Sequence, residues 1–257
     1  RVFFGDGEGA LFSLGTRAWD DREPALFARP ILLDIDDIAF SGERIFIASR
    51  ERFLSISSRA FVSDGRRGEQ RSATSYGFSS RIYNNPIAGE TTLISLRDGS
   101  CLLLPMEEQR SEPTIYRFKG GSFSPFFDGL SSPVKTAATH EGDLLILEDN
   151  GTIKIVSAGD GTERFSYTSF GLQSVTEVYE ENLMAARNRT EVIGTPLLHI
   201  NPQTGETVPV DDTNILTFHL RYDDMTRNLY TLGYEERTGG LRTVLKQHSG
   251  SNYDRIT

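Results

Sequence analysis

The sequence predicts an all-β fold, built from four-stranded antiparallel sheets repeated along 257 residues. Three observations lead there. Tight-turn signals recur between short strand-like runs. Asp149-Asn150-Gly151 and Gly159-Asp160-Gly161 are the sharpest, because Asn and Gly supply the positive φ angles that a narrow hairpin requires. Ile45-Phe46-Ile47-Ala48, Leu102-Leu103-Leu104 and Leu144-Leu145-Ile146-Leu147 are continuous apolar runs of strand length, as expected of strands covered on both faces. No stretch of eleven or more residues carries a helical period, so almost no helix is expected.

Taken in order, residues 2–4 and 10–14 read as strands around Gly5-Asp6-Gly7-Glu8-Gly9. Residues 16–30 are mixed, and the Trp19-Asp20 pair among them is read as chance. Strands follow at 34–40, 44–48 and 53–57. Residues 64–76, rich in Gly, Ser and Arg, read as a long loop. Residues 77–83, 92–96, 100–104 and 114–118 are strands, and 120–128, with three phenylalanines, reads as a loop. Residues 134–139, 144–147, 152–156 and 162–167 form the clearest four-stranded set. A further set runs 173–179, 182–187, 196–200 and 206–210, and a last one 215–222, 228–234 and 241–247.

The turn between second and third strands, taken as a marker, falls near Gly7, Glu51, Asp98, Asn150, Glu191 and Arg237. The intervals are roughly 40–50 residues, the length of one four-stranded propeller blade. The set at residues 134–167 resembles a blade of a β-propeller, of the WD40 or quinoprotein-like kind. Asn201-Pro202-Gln203-Thr204-Gly205-Glu206 is similar to a turn common in quinoprotein-like blades, whereas the Gly-His dipeptide of WD40 blades is absent. The resemblance implies a single propeller domain over residues 1–257. Six blades are expected, with seven as the alternative. The first blade lacks its opening strand, and residues 251–257 are expected to supply it beside residues 2–4.

Composition narrows the function. The net charge is −9 and the isoelectric point about 5.0. An acidic surface repels phosphate backbones, so nucleic acid is not an expected partner. No run of 18 apolar residues exists, so no membrane-inserting helix is expected. Cys101, the only cysteine, lies in an apolar run and reads as a small buried hydrophobe. One cysteine suits a cytoplasmic and a bacterial periplasmic location alike. The chain begins at Arg1 rather than Met, so either a processed mature chain or a part of a longer chain is expected.

Candidate chemistry is sparse. The four histidines, His140, His199, His219 and His248, lack the spacing that places two imidazoles on one metal. Asp34, Asp36 and Asp37, Asp211-Asp212, and Asp223-Asp224 are acidic groups without the ligand spacing and glycine of a calcium loop. The phosphate-cradling loops and the G-x-S-x-G elbow are missing. Asn150-Gly151-Thr152 and Asn188-Arg189-Thr190 match a glycosylation acceptor but also fit hairpin turns. The reading is therefore no metal and no cofactor.

Charge topology is the most informative feature. First-to-second and third-to-fourth turns share one end of a sheet. Second-to-third turns and sheet-to-sheet connections share the other. The first group carries Glu43, Glu90, Glu141, Asp160, Glu206 and Asp223, with Arg227 as the basic exception. The second carries Arg50, Arg52, Arg66, Arg67, Arg71, Arg97, Arg187, Arg189 and Arg237, mixed with acids. Arginine's planar fork suits carboxylate recognition, so these arginines are the expected partner-binding residues. The function this implies is a non-catalytic scaffold that binds another protein or a neighbouring domain. The alternative is a glycoside hydrolase or lactonase with acids in a central channel.

Overall fold

The structure is a computed structural model. It describes residues 2–5, 11–14, 25–28, 35–41, 44–57, 81–107, 113–140, 143–179, 182–187, 197–210, 215–223, 225–249 and 255–256. Strands dominate, and there is no α-helix among the described residues. The chain divides into two compact units, Arg1–Pro133 and Val134–Thr257.

The first unit holds three sheets. One has three strands, β1 (Val2–Gly5), β2 (Leu11–Leu14) and β3 (Ala25–Ala28). The next has four in chain order, β4 (Ile35–Ser41), β5 (Arg44–Ser49), β6 (Arg52–Ser57) and β7 (Arg81–Asn84). The third is β8 (Thr91–Ser95), β9 (Cys101–Pro105), β10 (Ile115–Lys119) and β11 (Ser122–Phe127). All pairings are antiparallel.

The second unit repeats the plan three times. Its sheets are β12 (Val134–His140) to β15 (Glu163–Thr168), with β13 (Asp143–Glu148) and β14 (Thr152–Ser157) between. Then come β16 (Leu172–Glu177), β17 (Leu183–Arg187), β18 (Leu197–Ile200) and β19 (Thr207–Val210). The last is β20 (Ile215–Asp223), β21 (Asn228–Arg237), β22 (Gly240–Ser249) and β23 (Arg255–Ile256).

The apolar runs behave as their composition implies. On β5, Phe46 and Ala48 enter a cluster with Phe53, Leu93, Cys101, Leu103 and Phe118. Ile45 and Ile47, on the alternate side of the same strand, are equally buried. Phe53 and Phe118 meet with ring centroids 4.7 Å apart, and Phe118 meets Phe46 edge-on at 6.0 Å. On β17, Leu183 and Ala185 pack toward the β12–β15 sheet, whereas Met184 and Ala186 pack toward Leu220, Tyr222 and Leu229. A middle strand clad on both faces is what adjacent, face-to-face sheets demand. Each large side chain so buried contributes about 1.5–3 kcal/mol.

Four sequence expectations need correction. Residues 120–128 are not a loop, because β11 occupies most of them as the outer strand of its sheet. Pro125 reads as a breaker in sequence, but an outer strand tolerates a missing N–H. Residues 16–30 include β3. Asp98 lies between β8 and β9, the first and second strands of their sheet, not between second and third. Finally, the chain's last strand, β23, pairs with β22, not with β1. The expected long loop at 64–76 lies outside the described residues.

Candidate interaction surface

Four of the six described opening strands are distorted in their first half, β1 and β8 being regular. Pairing of β4 with β5 skips Asp36, β12 with β13 skips Lys135, β16 with β17 skips Gln173, and β20 with β21 skips Phe218. These are β-bulges, which bend a strand and re-aim the extra side chain. The four residues share a position and nothing in chemistry, so no sequence repeat reveals them.

The bulges help to lock neighbouring sheets within each unit. In the first unit, the Thr91 N–H donates to Asp36 Oδ2 at 3.3 Å. The next residue, Asp37, accepts the Leu93 N–H and the Thr92 hydroxyl through Oδ2, both at 2.8 Å. In the second unit, Lys135 Nζ donates to Gln173 Oε1 at 2.9 Å, joining one bulge to the next. Ser174, which follows its bulge as Asp37 does, accepts the Leu220 N–H at 3.1 Å.

The expected arginines fall as follows. Arg50 and Arg52 flank the β5–β6 turn. Arg50 Nη2 lies 3.1 Å from Glu107 Oε1, with both side chains exposed, and Arg52 donates to Asn84 Oδ1. Arg187 ends β17 and is half-buried. Its Nη1 lies 3.5 Å from Ser169 Oγ, and its buried Nε has no hydrogen-bond partner among the described residues. Arg237 ends β21 opposite Gly240. Arg66, Arg67, Arg71 and Arg189 lie outside the described residues; the first three fall in the connection from β6 to β7, a third-to-fourth one, so the sheet order takes them out of the group in which they were expected. Arg97 is exposed in the β8–β9 turn, a first-to-second turn, so the sheet order places it with the group expected to be acidic. Glu90 moves the other way. It precedes β8 in a sheet-to-sheet connection, and its carbonyl accepts the Met106 N–H at 2.9 Å.

Charge in the first unit is therefore mixed at both ends. Near Asp36 stand Glu90, Glu107 and Arg50. Burial pushes the Asp36 carboxyl up to about 6; the two glutamates add to the shift, while the Thr91 N–H and Arg50 oppose it. At the other end, Asp98 is ringed by donors. Lys119 Nζ and Arg117 Nη2 each lie 2.8 Å from its Oδ2, and Ser100 Oγ lies 2.5 Å from Oδ1. These bonds, that of Lys119 foremost, hold the carboxyl well below the usual carboxylate range. With Arg97 and Lys119 exposed, this end carries a basic patch that sequence reasoning missed. The signal was available: Lys119 belongs to a third-to-fourth turn once residues 122–127 are recognised as a strand.

His248 is buried, with Nε2 3.0 Å from the Thr231 hydroxyl, and no group of three or more His, Cys, Asp or Glu among the described residues could hold a metal ion. Cys101 is fully buried, and that burial pushes its thiol pKa up.

No family model and no curated protein matches the sequence. Solved structures do match. The chain is similar to Kuenenia stuttgartiensis hydrazine synthase, at 10% identity and TM-score 0.59, over 86% of this chain and 64% of that one. It is similar to the β-propeller domain of Myceliophteria thermophila Cps50 (Swd1), at 10% identity and TM-score 0.56, over 99% of this chain and 91% of that one. It is also similar to the extracellular domain of a putative one component system from B. thetaiotaomicron, at 12% identity and TM-score 0.56, over 97% of this chain and 31% of that one. The chain spans less than two thirds of the hydrazine synthase chain and about a third of the extracellular domain. At such identities the likeness speaks for the fold alone. The fold is all-β and propeller-like, its four-stranded antiparallel sheets corresponding to blades.

Proposed function

We propose that this chain is a non-catalytic interaction module. Its sheets act as blades that hold charged turns rigidly toward another protein or a neighbouring domain. The observation that carries this is the corner around Arg50 and Arg52. These exposed side chains are fixed between Ser49 and Phe53, both buried, so their turn is anchored at either side. Their polar contacts, an ion pair of Arg50 with Glu107 and a hydrogen bond from Arg52 to Asn84, are solvent-exposed. Exposed pairs of this kind are worth little to folding, so a partner carboxylate can replace them at small cost. Arg50 and Arg52 in the first unit, and Arg187, Arg189 and Arg237 in the second, are the proposed contacts, each set at the second-to-third turns of its own sheet; Arg66, Arg67 and Arg71, between β6 and β7, are not among them. A propeller-like fold hosts unlike roles, so the reading rests on this surface and not on the neighbours.

The test is pull-down of a captured partner with Arg50→Glu and Arg52→Glu together. Loss of capture with unchanged thermal stability supports the reading, and undiminished capture removes it.

A second reading, hydrolysis of a glycoside or lactone, draws on Asp36, whose raised pKa suits an acid catalyst. Turnover of an aryl glycoside or a lactone that vanishes in Asp36→Asn would favour it.

A further inference from the structure

Two cations of the second unit, Lys135 and Arg187, meet only neutral oxygens among the described residues. Lys135 is the bulged residue of β12, and its Nζ donates to Gln173 Oε1 at 2.9 Å and to the Leu172 carbonyl at 3.4 Å. Arg187 ends β17 paired with Leu172, and its Nη1 donates to Ser169 Oγ at 3.5 Å. Both side chains are half-buried. Residues 169–173, which lead from β15 into β16, therefore carry an ammonium brought from β12 and a guanidinium brought from β17.

That short segment is firmly held. The Ser169 N–H donates to the Gly151 carbonyl at 3.1 Å, and Leu172 is buried. Thr168, just before it, shares a 3.0 Å bond between hydroxyls with Thr152. Phe170, at its centre, is nevertheless 87% exposed. The group that does not fit is the Arg187 Nε, which is buried and has no hydrogen-bond partner among the described residues. A charged donor shut off from water without an acceptor is unfavourable. The Nε–Nη edge of a guanidinium presents two parallel N–H groups that match the two oxygens of one carboxylate. The bond to Ser169 is too long to be strong, so a small rotation of the side chain turns that edge outward. Lys135 has three ammonium hydrogens and two acceptors, which leaves one for an anion.

We propose that Arg187 and Lys135 form a carboxylate seat, which takes an Asp or Glu side chain from an extended segment of a partner protein and lays an apolar neighbour of that acid on Phe170. This rests on the interaction-module reading and names the partner's chemistry at the second unit. Arginine and aromatic side chains are the groups that protein interfaces gather at their centres. A phosphate suits the seat less well. Asp149 is exposed in the turn whose Gly151 holds Ser169, and it repels a doubly charged group more than a singly charged one.

The test uses the full chain, isotope-labelled for nuclear magnetic resonance, and the peptide Gly-Ser-Leu-Asp-Leu-Ser-Gly. The Arg187 Nε–H signal is expected to shift on titration and to exchange with water about tenfold more slowly. The same peptide with Asn for Asp, and inorganic phosphate at equal concentration, are expected to leave that signal in place. Arg187→Lys keeps the charge and loses the fork. It is expected to weaken peptide binding, read at the Phe170 amide, about tenfold, and Lys135→Gln about threefold. An unmoved Nε–H signal with the Asp peptide, an equal shift with the Asn peptide or with phosphate, or full affinity in Arg187→Lys overturns the proposal. A changed Nε–H signal in the free Glu191→Gln chain overturns it too, because the chain's own acid between β17 and β18 would then hold the fork. Partner capture that fails with Arg50→Glu and Arg52→Glu but persists with Arg187→Lys and Lys135→Gln together also sinks the seat, and leaves the interaction module standing.

Discussion

Asp37 Oδ2 accepts the backbone N–H of Leu93 at 2.8 Å, so one carboxylate on the first strand of a sheet holds the first strand of the next. The same oxygen accepts the Thr92 hydroxyl, and Asp37 Oδ1 accepts the Ile38 N–H at 2.7 Å. Asp37→Ala leaves the buried Leu93 amide without its acceptor. A loss of about 2 kcal/mol is expected in urea unfolding, the range for a bond to a charged group. Ser174→Ala, at the matching place in the second unit, should lose about 1 kcal/mol, since its bond to Leu220 is neutral.

Asp36 beside it makes stability depend on pH in the less common direction. Its folded pKa lies near 6, above the ordinary value near 4 that the unfolded chain shows. Between those values the folded state binds more protons, so this group's contribution falls as pH rises from about 4 to about 6. At neutral pH the ionised carboxylate is a net cost. Asp36→Asn should therefore raise the melting temperature at pH 7 and flatten that slope. The gain should stay near 1 kcal/mol, because the group is half-exposed and solvent screens it. A lower melting temperature at pH 7 would show that the Thr91 bond outweighs burial.

Asp98 has the opposite sign. Its donors keep it ionised in the folded state below the ordinary pKa. Its contribution is present above about pH 4 and is lost as pH falls below that. Asp98→Asn should cost about 1 kcal/mol at pH 7, discounted for exposure, and should shrink the acid-induced loss seen by thermal melting at pH 2–4.

Two glycines separate steric from conformational constraint. Gly151 has φ +85°, and a Cβ there would lie 2.2 Å from the Ser169 carbonyl oxygen. The Ser169 N–H bonds to the Gly151 oxygen at 3.1 Å, which brings that backbone close. Gly205 has φ +72° with nothing within 4 Å. Gly151→Ala should cost about 3 kcal/mol or more, and Gly205→Ala about 1 kcal/mol, by chemical denaturation.

The strands were legible in sequence wherever burial on two faces wrote an apolar run, as at Ile45-Phe46-Ile47-Ala48 and Leu144-Leu145-Ile146-Leu147. They were hidden where a strand sits at an edge. β11 holds a proline that only an outer strand can keep, and β23 is two residues long. Missing β11 shifted the strand count of its sheet, and that shift put Arg97, Glu90 and the arginines at 66, 67 and 71 at the wrong ends. The bulge positions were illegible for a different reason. Asp36, Lys135, Gln173 and Phe218 occupy one backbone distortion, which constrains the main chain and leaves the side chain open. Local sequence reports what packs, while a latch made by a backbone amide and any acceptor leaves no shared letter.

The most direct test of the interaction reading is hydrogen-exchange footprinting of the chain bound to its captured partner. Protection is expected at residues 50–52, 85–90 and 106–107, the end of the first unit that carries Arg50 and Arg52, with residues 96–100 and 119–122 exchanging as in the free chain. Protection confined to residues 96–100 and 119–122, around Asp98 and Lys119, would contradict it.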